Sequence, residues 1–313
     1  MLRSIIKFAR IRIIATCFAL VFVGAAAGGG LDIKIVAGLL IMIAFTVHAN
    51  SINDYADREI DAINLQGAGD RPLVSGDISM RQFWLIHVGS VVVTLVLSAL
   101  FGWRGLLISV IVILIDYAYS IKPLRITDRT FLSPILLAIT YTYYSFTIGF
   151  WAVANAPMYP RLLTAGLCLG FMARLLLKDF RDVKGDQRHG KLTFLLRFGP
   201  RVTTVVSGLL WTLSMLLVAA ATSYAYGVVL SLVVGALLVW CWLYKLARSP
   251  RIHEQEQIVA VIARVGNGAI LMILAHLLCV QQTGLSTSEV QLIPLAIGIV
   301  VILGKGLYVR PNA

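Results

Sequence analysis

Ten apolar runs divide this 313-residue chain, most of them close to the ~20 residues that an α-helix needs to cross a bilayer. They lie around 11–29, 33–52, 83–102, 105–121, 131–153, 161–178, 203–222, 225–246, 258–280 and 290–308, the last interrupted by Lys305. Composition leaves them no soluble alternative. Hydrophobic residues make up 59% of the chain and charged residues 13%, against about 45–50% and about 25% in soluble domains. The surplus apolar surface has to face lipid. The expected fold class is therefore all-α, a polytopic transmembrane helical bundle of nine or ten spans forming one membrane-embedded domain over residues 1–313. The N-terminal segment, basic and then apolar with small residues after it, resembles a signal peptide, but the runs that follow make a retained first span the better reading.

The net charge of +12 would suit a nucleic-acid binder if the cations formed one stripe. They do not, and no nucleic-acid partner is expected. Of the 27 Lys and Arg residues, 22 fall in alternate connections, on the side that holds the N-terminus, and only Lys34, Arg104 and Arg161 fall on the other. Such a bias places the richer side in the cytoplasm. The expected location is a prokaryotic cell membrane, with the polar loops and the mouth of any site facing the cytoplasm. The four cysteines, Cys17, Cys168, Cys241 and Cys279, lie inside apolar runs without a CxxC pair and read as small buried hydrophobes.

Two long cytoplasmic connections hold the informative residues. The first reads NSINDYADREIDAIN, with Asp54, Asp57 and Asp61; the second reads KDFRDVKGDQRHGK, with Asp179, Asp182 and Asp186. Both fit D-[YF]-x-D-x-x-x-D and each follows an even-numbered run. Four runs separate the copies, so the chain reads as two four-helix pseudo-repeats, about 1–129 and 130–250, with extra C-terminal spans over about 251–313. Repeats of this kind place sites between the halves. Six of the fifteen acidic residues occupy these motifs. Spacing i, i+3, i+7 puts three carboxylates on one helix face, with Asn50 and Asn53 on or beside it.

Crowded carboxylates repel unless they share protons or cations. Magnesium is the natural cation, since it prefers oxygen ligands and is commonly held by one or two carboxylates plus substrate phosphates. Zinc would call for His or Cys ligands, and the EF-hand spacing is missing. Lys178, Arg181, Lys184, Arg188 and Lys191 interleave with the second triad, Arg71 follows the first, and Lys122 and Arg125 lie in YSIKPLR with Tyr119. Together they would suit a diphosphate. Three charges fall within apolar runs: Asp116, Arg174 and Arg264. Each is costly in hydrocarbon and needs a cavity or a partner. Asp116 is a candidate for contact with an acceptor, and Arg174, five residues before Asp179, is expected to pair with a carboxylate. The aromatic stripe of the fifth run, Tyr141, Tyr143, Tyr144, Phe146, Phe150 and Trp151, reads as helix packing more readily than as a tunnel lining.

NDYADREIDAIN with RPLVSG after it, then YSIKPLR, then KDFRDVKGD, resembles the UbiA-type intramembrane prenyltransferases over most of the chain up to about residue 202. DREIDAIN followed by RP and SG looks especially like the chlorophyll-synthase and archaeal-lipid branches. The resemblance implies a helical bundle around a central cavity, usually of nine spans, in which two Mg²⁺ ions held by the Asp motifs bind an isoprenyl diphosphate. It implies Asn50, Asp54, Asp57, Asp61, Asp179, Asp182 and Asp186 as metal ligands, with the six aspartates catalytic. Asn50, Asn53, Arg71, Tyr119, Lys122, Lys178, Lys184, Arg10 and Asp116 are the corresponding substrate-binding candidates. Arg10 matches the Arg of an RPxN stretch, although this chain reads RIRI there.

The expected function is Mg²⁺-dependent transfer of a prenyl group to a lipophilic acceptor, aromatic acceptors included, within the membrane. A polar glycerol- or sugar-phosphate acceptor and a terpene cyclase are alternatives, and a transporter is a further one. Acceptor, prenyl chain length and oligomeric state stay open. The span count has a direct test. A topology reporter fused to Ala313 should read cytoplasmic for ten spans and external for nine.

Overall fold

The computed structural model describes residues 2–64, 71–153, 158–188, 190–282 and 284–306. Helices account for 84% of the structure, with no strand among the described residues beyond one isolated parallel bridge between Arg129 and Leu192. Each apolar run of the sequence falls on a helix. In chain order these are α1 (Leu2–Ala9), α2 (Ile11–Ala27), α3 (Lys34–Ala56), α4 (Arg58–Asn64), α5 (Met80–Ser98), α6 (Gly102–Ser120) and α7 (Leu132–Ala138). A π-helical turn (Ile139–Tyr143) joins α7 to α8 (Tyr144–Val153). Then come α9 (Arg161–Arg188), α10 (Phe194–Ala221), α11 (Tyr226–Leu246), α12 (Ile252–Gln281) and α13 (Thr287–Gly306).

By length and composition, seven helical segments among the described residues can cross a membrane, or eight if the bent pair α1–α2 is one span. Met80–Ser120 counts once in that figure, yet it is two helices. A 3₁₀ turn at Ala99–Phe101 and Gly102, at φ 69°, reverse the chain so that α5 packs on α6. A positive φ is readily adopted by glycine. Start signals are local too: Ser79 and Gln82 form a reciprocal capping box at the head of α5, satisfying donors that a helix N-terminus leaves unpaired.

The chain divides into two compact units. The first comprises Met1–Ala25, Leu31–Val153 and Asp182–Thr193. Its centre is α3, which packs against α1, α5, α6 and α8 and buries Ile41, Met42, Phe45 and Ile52 almost completely. Small residues allow the closest approach. A Cβ at Gly149 would stand 2.0 Å from the Val21 carbonyl oxygen, and one at Gly24 would stand 2.0 Å from that of Phe146, so α2 and α8 meet backbone to backbone. Glycine at such crossings is what lets membrane helices gain packing contact. Hydroxyls bind the same unit: Ser109 is 2.7 Å from both the Ser98 Oγ and the Tyr144 hydroxyl. Tyr141, Tyr144, Phe146 and Phe150 are buried, with Tyr144 edge-on to Phe45 at 5.0 Å, as the packing reading expects.

The second unit comprises Ala26–Gly30, Ala154–Arg181 and Phe194–Ala313. Here α12 packs on α11 and α13, and α10 on α11. Ser207 and Ser214 of α10 donate to the Ala173 and Gly166 carbonyls of α9 at 2.8 and 2.6 Å. Gly199, at φ 77°, breaks the helical run just before Pro200. Cys17 and Cys279 are buried as expected, but Cys241 is exposed, because it lies on the outward, apolar side of α11.

The α2–α8 crossing predicts a sharp contrast between glycines. Gly149→Leu should destabilise the purified protein by about 3 kcal/mol or more, since overpacking a close contact costs about 1–3 kcal/mol and here the clash is with backbone. Gly89→Ala, where nothing lies within 4 Å of the added carbon, should leave the thermal midpoint unchanged or raise it.

Candidate functional site

The first aspartate motif sits where α3 gives way to α4. Asn and Asp side chains do not stop the helix, because backbone bonds continue through it: Asp57 N–H donates to Asn53 O at 2.9 Å and Asp61 N–H to Asp57 O at 2.8 Å. Asp57 itself departs to φ −100°, ψ 9°, the bridge region that active-site residues often occupy. The triad therefore spans a kink instead of one straight face. Asp54 and Asp57 are buried, at 1% and 7% exposure.

Four cations from four separate segments meet these carboxylates. Arg10 bonds Asp54, and Arg71 Nε lies 3.2 Å from Asp54 and 2.7 Å from Asp61. Arg125 lies 2.7 Å from Asp57 and 2.9 Å from Asp128. Lys191 Nζ lies 3.3 Å from Asp57 and 3.6 Å from Asp186, so it links the first motif to the last aspartate of the second. The segment carrying Lys191 is itself tied down. Its N–H donates to Asp186 O at 3.0 Å, and Thr130 Oγ1 donates to Leu192 O at 2.5 Å.

Two of the four cations have unusual backbones. Arg10 has φ 49° and Arg125 φ 35°, a left-handed conformation that costs a non-glycine residue roughly 1–2 kcal/mol. Arg10 stands at the 58° bend between α1 and α2. Strain of this kind persists only where surrounding contacts over-determine it, and here each strained residue carries an ion pair to a buried carboxylate.

The remaining expected site residues fall in several places. Asn50 is buried, donating to Phe8 O at 2.9 Å and accepting from the Tyr141 hydroxyl at 3.3 Å. Its amide thus joins the end of α1 to the π turn. Asn53 donates to Asp57 at 3.3 Å. Tyr119 is buried with its hydroxyl 3.1 Å from Ser133, and Lys122 is exposed. Asp179 is buried and Lys178 half-buried in the second unit. The side chains of Asp182 and Lys184 lie outside the described residues. Arg174, expected to pair with a carboxylate, instead donates to Asn267 Oδ1 at 2.8 Å and Ala263 O at 3.3 Å. An amide and a carbonyl reach its half-buried position, where no acidic side chain does among the described residues.

One constellation has no counterpart in the sequence reading. Asp116 Oδ2 lies 3.7 Å from His48 Nε2, and the His48 ring is 4.9 Å from that of His87. His87 is 2.9 Å from Ser51 Oγ and 2.6 Å from the Tyr117 hydroxyl. Asp116 stood out in the sequence, but nothing there marked His48 and His87 as its neighbours.

The donor set fits magnesium in kind. Asp54, Asp57, Asp61 and Asp186 offer hard carboxylate oxygens, and Asp54 Oδ2 is buried with no hydrogen-bond partner, an acceptor that a cation would satisfy. Among the described residues no three Asp, Glu, His or Cys side chains already converge as one metal-binding group; Arg and Lys engage both oxygens of Asp57 and one each of Asp54, Asp61 and Asp186. A double-mutant cycle on Asp57→Asn and Arg125→Gln should give a coupling of about 1–3 kcal/mol, read from unfolding of the purified protein. Additive effects would mean that the pair is not formed in solution.

Comparison with known proteins identifies the family. The model of the UbiA prenyltransferase family matches residues 14–267. A digeranylgeranylglyceryl phosphate synthase of Methanothermobacter thermautotrophicus is 28% identical over 225 residues, 67% of this chain and 72% of that protein. The bacteriochlorophyll synthase 33 kDa chain of Cereibacter sphaeroides is 29% identical over 177 residues, 54% of this chain and 56% of that one. A UbiA homolog from Archaeoglobus fulgidus, solved with GPP and Mg²⁺, superposes with a TM-score of 0.59 at 20% identity, over 96% of this chain and 99% of that one. That likeness is one of fold. The chain belongs to the UbiA prenyltransferase family, and it is a prenyltransferase.

Proposed function

We propose that this protein transfers a prenyl group from an isoprenyl diphosphate to a lipophilic acceptor within the membrane, in a magnesium-dependent reaction. The observation that carries this reading is the alternation of Asp54, Asp57, Asp61 and Asp186 with Arg10, Arg71, Arg125 and Lys191 in one buried cluster. Carboxylates alone would suit a cation site, and arginines alone an anion site. Interleaved, they suit a metal–diphosphate complex, and the ligands present with the Archaeoglobus fulgidus homolog are of that kind.

In the reaction the allylic C–O bond of the diphosphate ester breaks and its electron pair stays on the diphosphate oxygen. The acceptor supplies a new pair to the allylic carbon and loses a proton. Asp54, Asp57 and Asp61, with Asp179, Asp182 and Asp186 of the second motif, would hold magnesium, two ions in this reading, whose charge offsets that of the leaving group. Arg71, Arg125 and Lys191 then turn their donors from carboxylate to phosphate oxygens, preorganised charge aimed where negative charge develops. Arg10 holds Asp54 in register. Burial of the cluster keeps water from capturing the allylic cation.

A second reading, transfer to a glycerol-phosphate acceptor, is favoured by the relatives named for that activity and by Lys122 and Arg129. These exposed cations share the connection after α6 and would suit a second phosphate. We further propose nine or ten spans in a prokaryotic cell membrane, a pseudo-repeat over 1–129 and 130–250 around a central cavity, and a cytoplasmic mouth.

Asp54→Ala should reduce prenyl transfer, and release of diphosphate with it, by at least a hundredfold, measured with labelled geranylgeranyl diphosphate, magnesium and a lipid extract. Full activity in that variant would refute the proposed site. Lys122→Ala should raise KM for a glycerol-phosphate acceptor several-fold while leaving a lipophilic acceptor unaffected; equal KM values would dismiss the second reading.

A further inference from the structure

The second unit contains a cavity of about 40 Å³ between α9, α10, α11 and α12, lined by Arg174, Trp211 and Ser214 with Gly266 and apolar residues such as Leu232 and Ile270. Two of its three polar side chains, Arg174 and Trp211, are donors. Arg174 places a permanent cation there. Its recorded hydrogen bonds run from Nη1 to two neutral acceptors, Asn267 Oδ1 and Ala263 O, and its guanidinium lies 5.1 Å from the Phe171 ring. No ion pair to Arg174 is present among the described residues. A cation inside a membrane protein ordinarily finds a counter-charge or lines a functional cavity. Trp211 is 3% exposed, and its indole N–H is buried with no hydrogen-bond partner. Leaving such a donor unmet costs about 1–3 kcal/mol. Ser214 spends its proton on Gly166 O at 2.6 Å.

The wall therefore offers donors and one positive charge to whatever enters, and asks for an anionic acceptor. Space narrows the choice. A water needs about 10–15 Å³ of such volume, so the cavity admits roughly three centres of that size. A carboxylate has three non-hydrogen atoms; a phosphate has five and a diphosphate more. Gly266 keeps the space open, since a Cβ there would stand 2.9 Å from the Trp211 ring and 3.0 Å from Arg174 Nη1. Beyond the donors the lining is hydrocarbon, suited to an apolar chain.

We propose that this cavity binds the carboxylate of a single-chain lipid acid, held by the Arg174 guanidinium and the Trp211 N–H, with its chain running out of the cavity. The site takes a different head group from the diphosphate cluster and does not depend on that reading.

The test is calorimetric titration of the purified full-length chain in a nonionic detergent with laurate, dodecanol and dodecyl phosphate. Laurate should bind saturably, one per chain, and at least tenfold tighter than either comparison. Trp211→Phe keeps the ring and removes the donor, and should weaken laurate three- to tenfold. Gly266→Ala, which fills the space, and Arg174→Gln should each weaken it tenfold or more. Equal binding of dodecanol would reduce the site to unspecific apolar contact and overturn the proposal, as would tighter binding of dodecyl phosphate. Unchanged laurate affinity in Trp211→Phe and Gly266→Ala would overturn it as well, and these two variants decide the matter should Arg174→Gln fail to fold.

Discussion

The first unit rests on the mutual neutralisation of charges that none of its segments could bury alone. Asp54, Asp57 and Asp186 are all withdrawn from water, and three such carboxylates near one helix end would repel strongly. At 4 Å an opposite charge is worth about 4 kcal/mol at an effective dielectric constant near 20. A left-handed arginine costs roughly 1–2 kcal/mol. The attraction wins, which is why Arg10 and Arg125 hold backbone conformations that the chain would otherwise avoid. Arg10 thus adds an ion pair to the contact that Phe8 and Ala9 of α1 make with Val47 of α3.

The two units treat charge in opposite ways. In the first, five carboxylates face four cations through the pairs described, and the cluster is close to neutral before any ligand arrives. In the proposed reaction such a network would exchange partners at little net cost, a metal replacing each cation that leaves a carboxylate for a phosphate. In the second unit the Arg174 guanidinium donates to neutral acceptors, Asn267 Oδ1 and Ala263 O, and forms no ion pair among the described residues.

Much of this was legible in the sequence because the bilayer imposes one length scale on every helix. The described parts of the ten apolar runs lie largely on helices, although the reversal at Ala99–Gly102 falls at the end of the third run and not in the gap that follows it. Ends were less legible. α3 runs to Ala56, four residues beyond the apolar stretch, because polar side chains leave its i→i−4 bonds intact. The aspartates announced themselves by repetition, whereas their cation partners did not. Lys122 and Arg125 sit three residues apart in YSIKPLR, and only the left-handed turn at Arg125 brings that residue to Asp57. Propensity gives no hint of such a turn at an arginine. Lys191, 134 positions from Asp57, was one cation among many until the bridge at Leu192 fixed its place.

The bend at Arg10 carries a consequence for how the molecule is built. Its partner Asp54 lies 44 residues downstream, so the first two helices leave the ribosome before the contact that justifies their angle exists. Arg71, Arg125 and Lys191 arrive later still. During synthesis the aspartates of α3 must wait in water or beside lipid head groups, incompletely neutralised, until well over half of the polypeptide has been made. The cluster is then completed in stages, as Arg71, Arg125 and finally Lys191 emerge and take up their carboxylates.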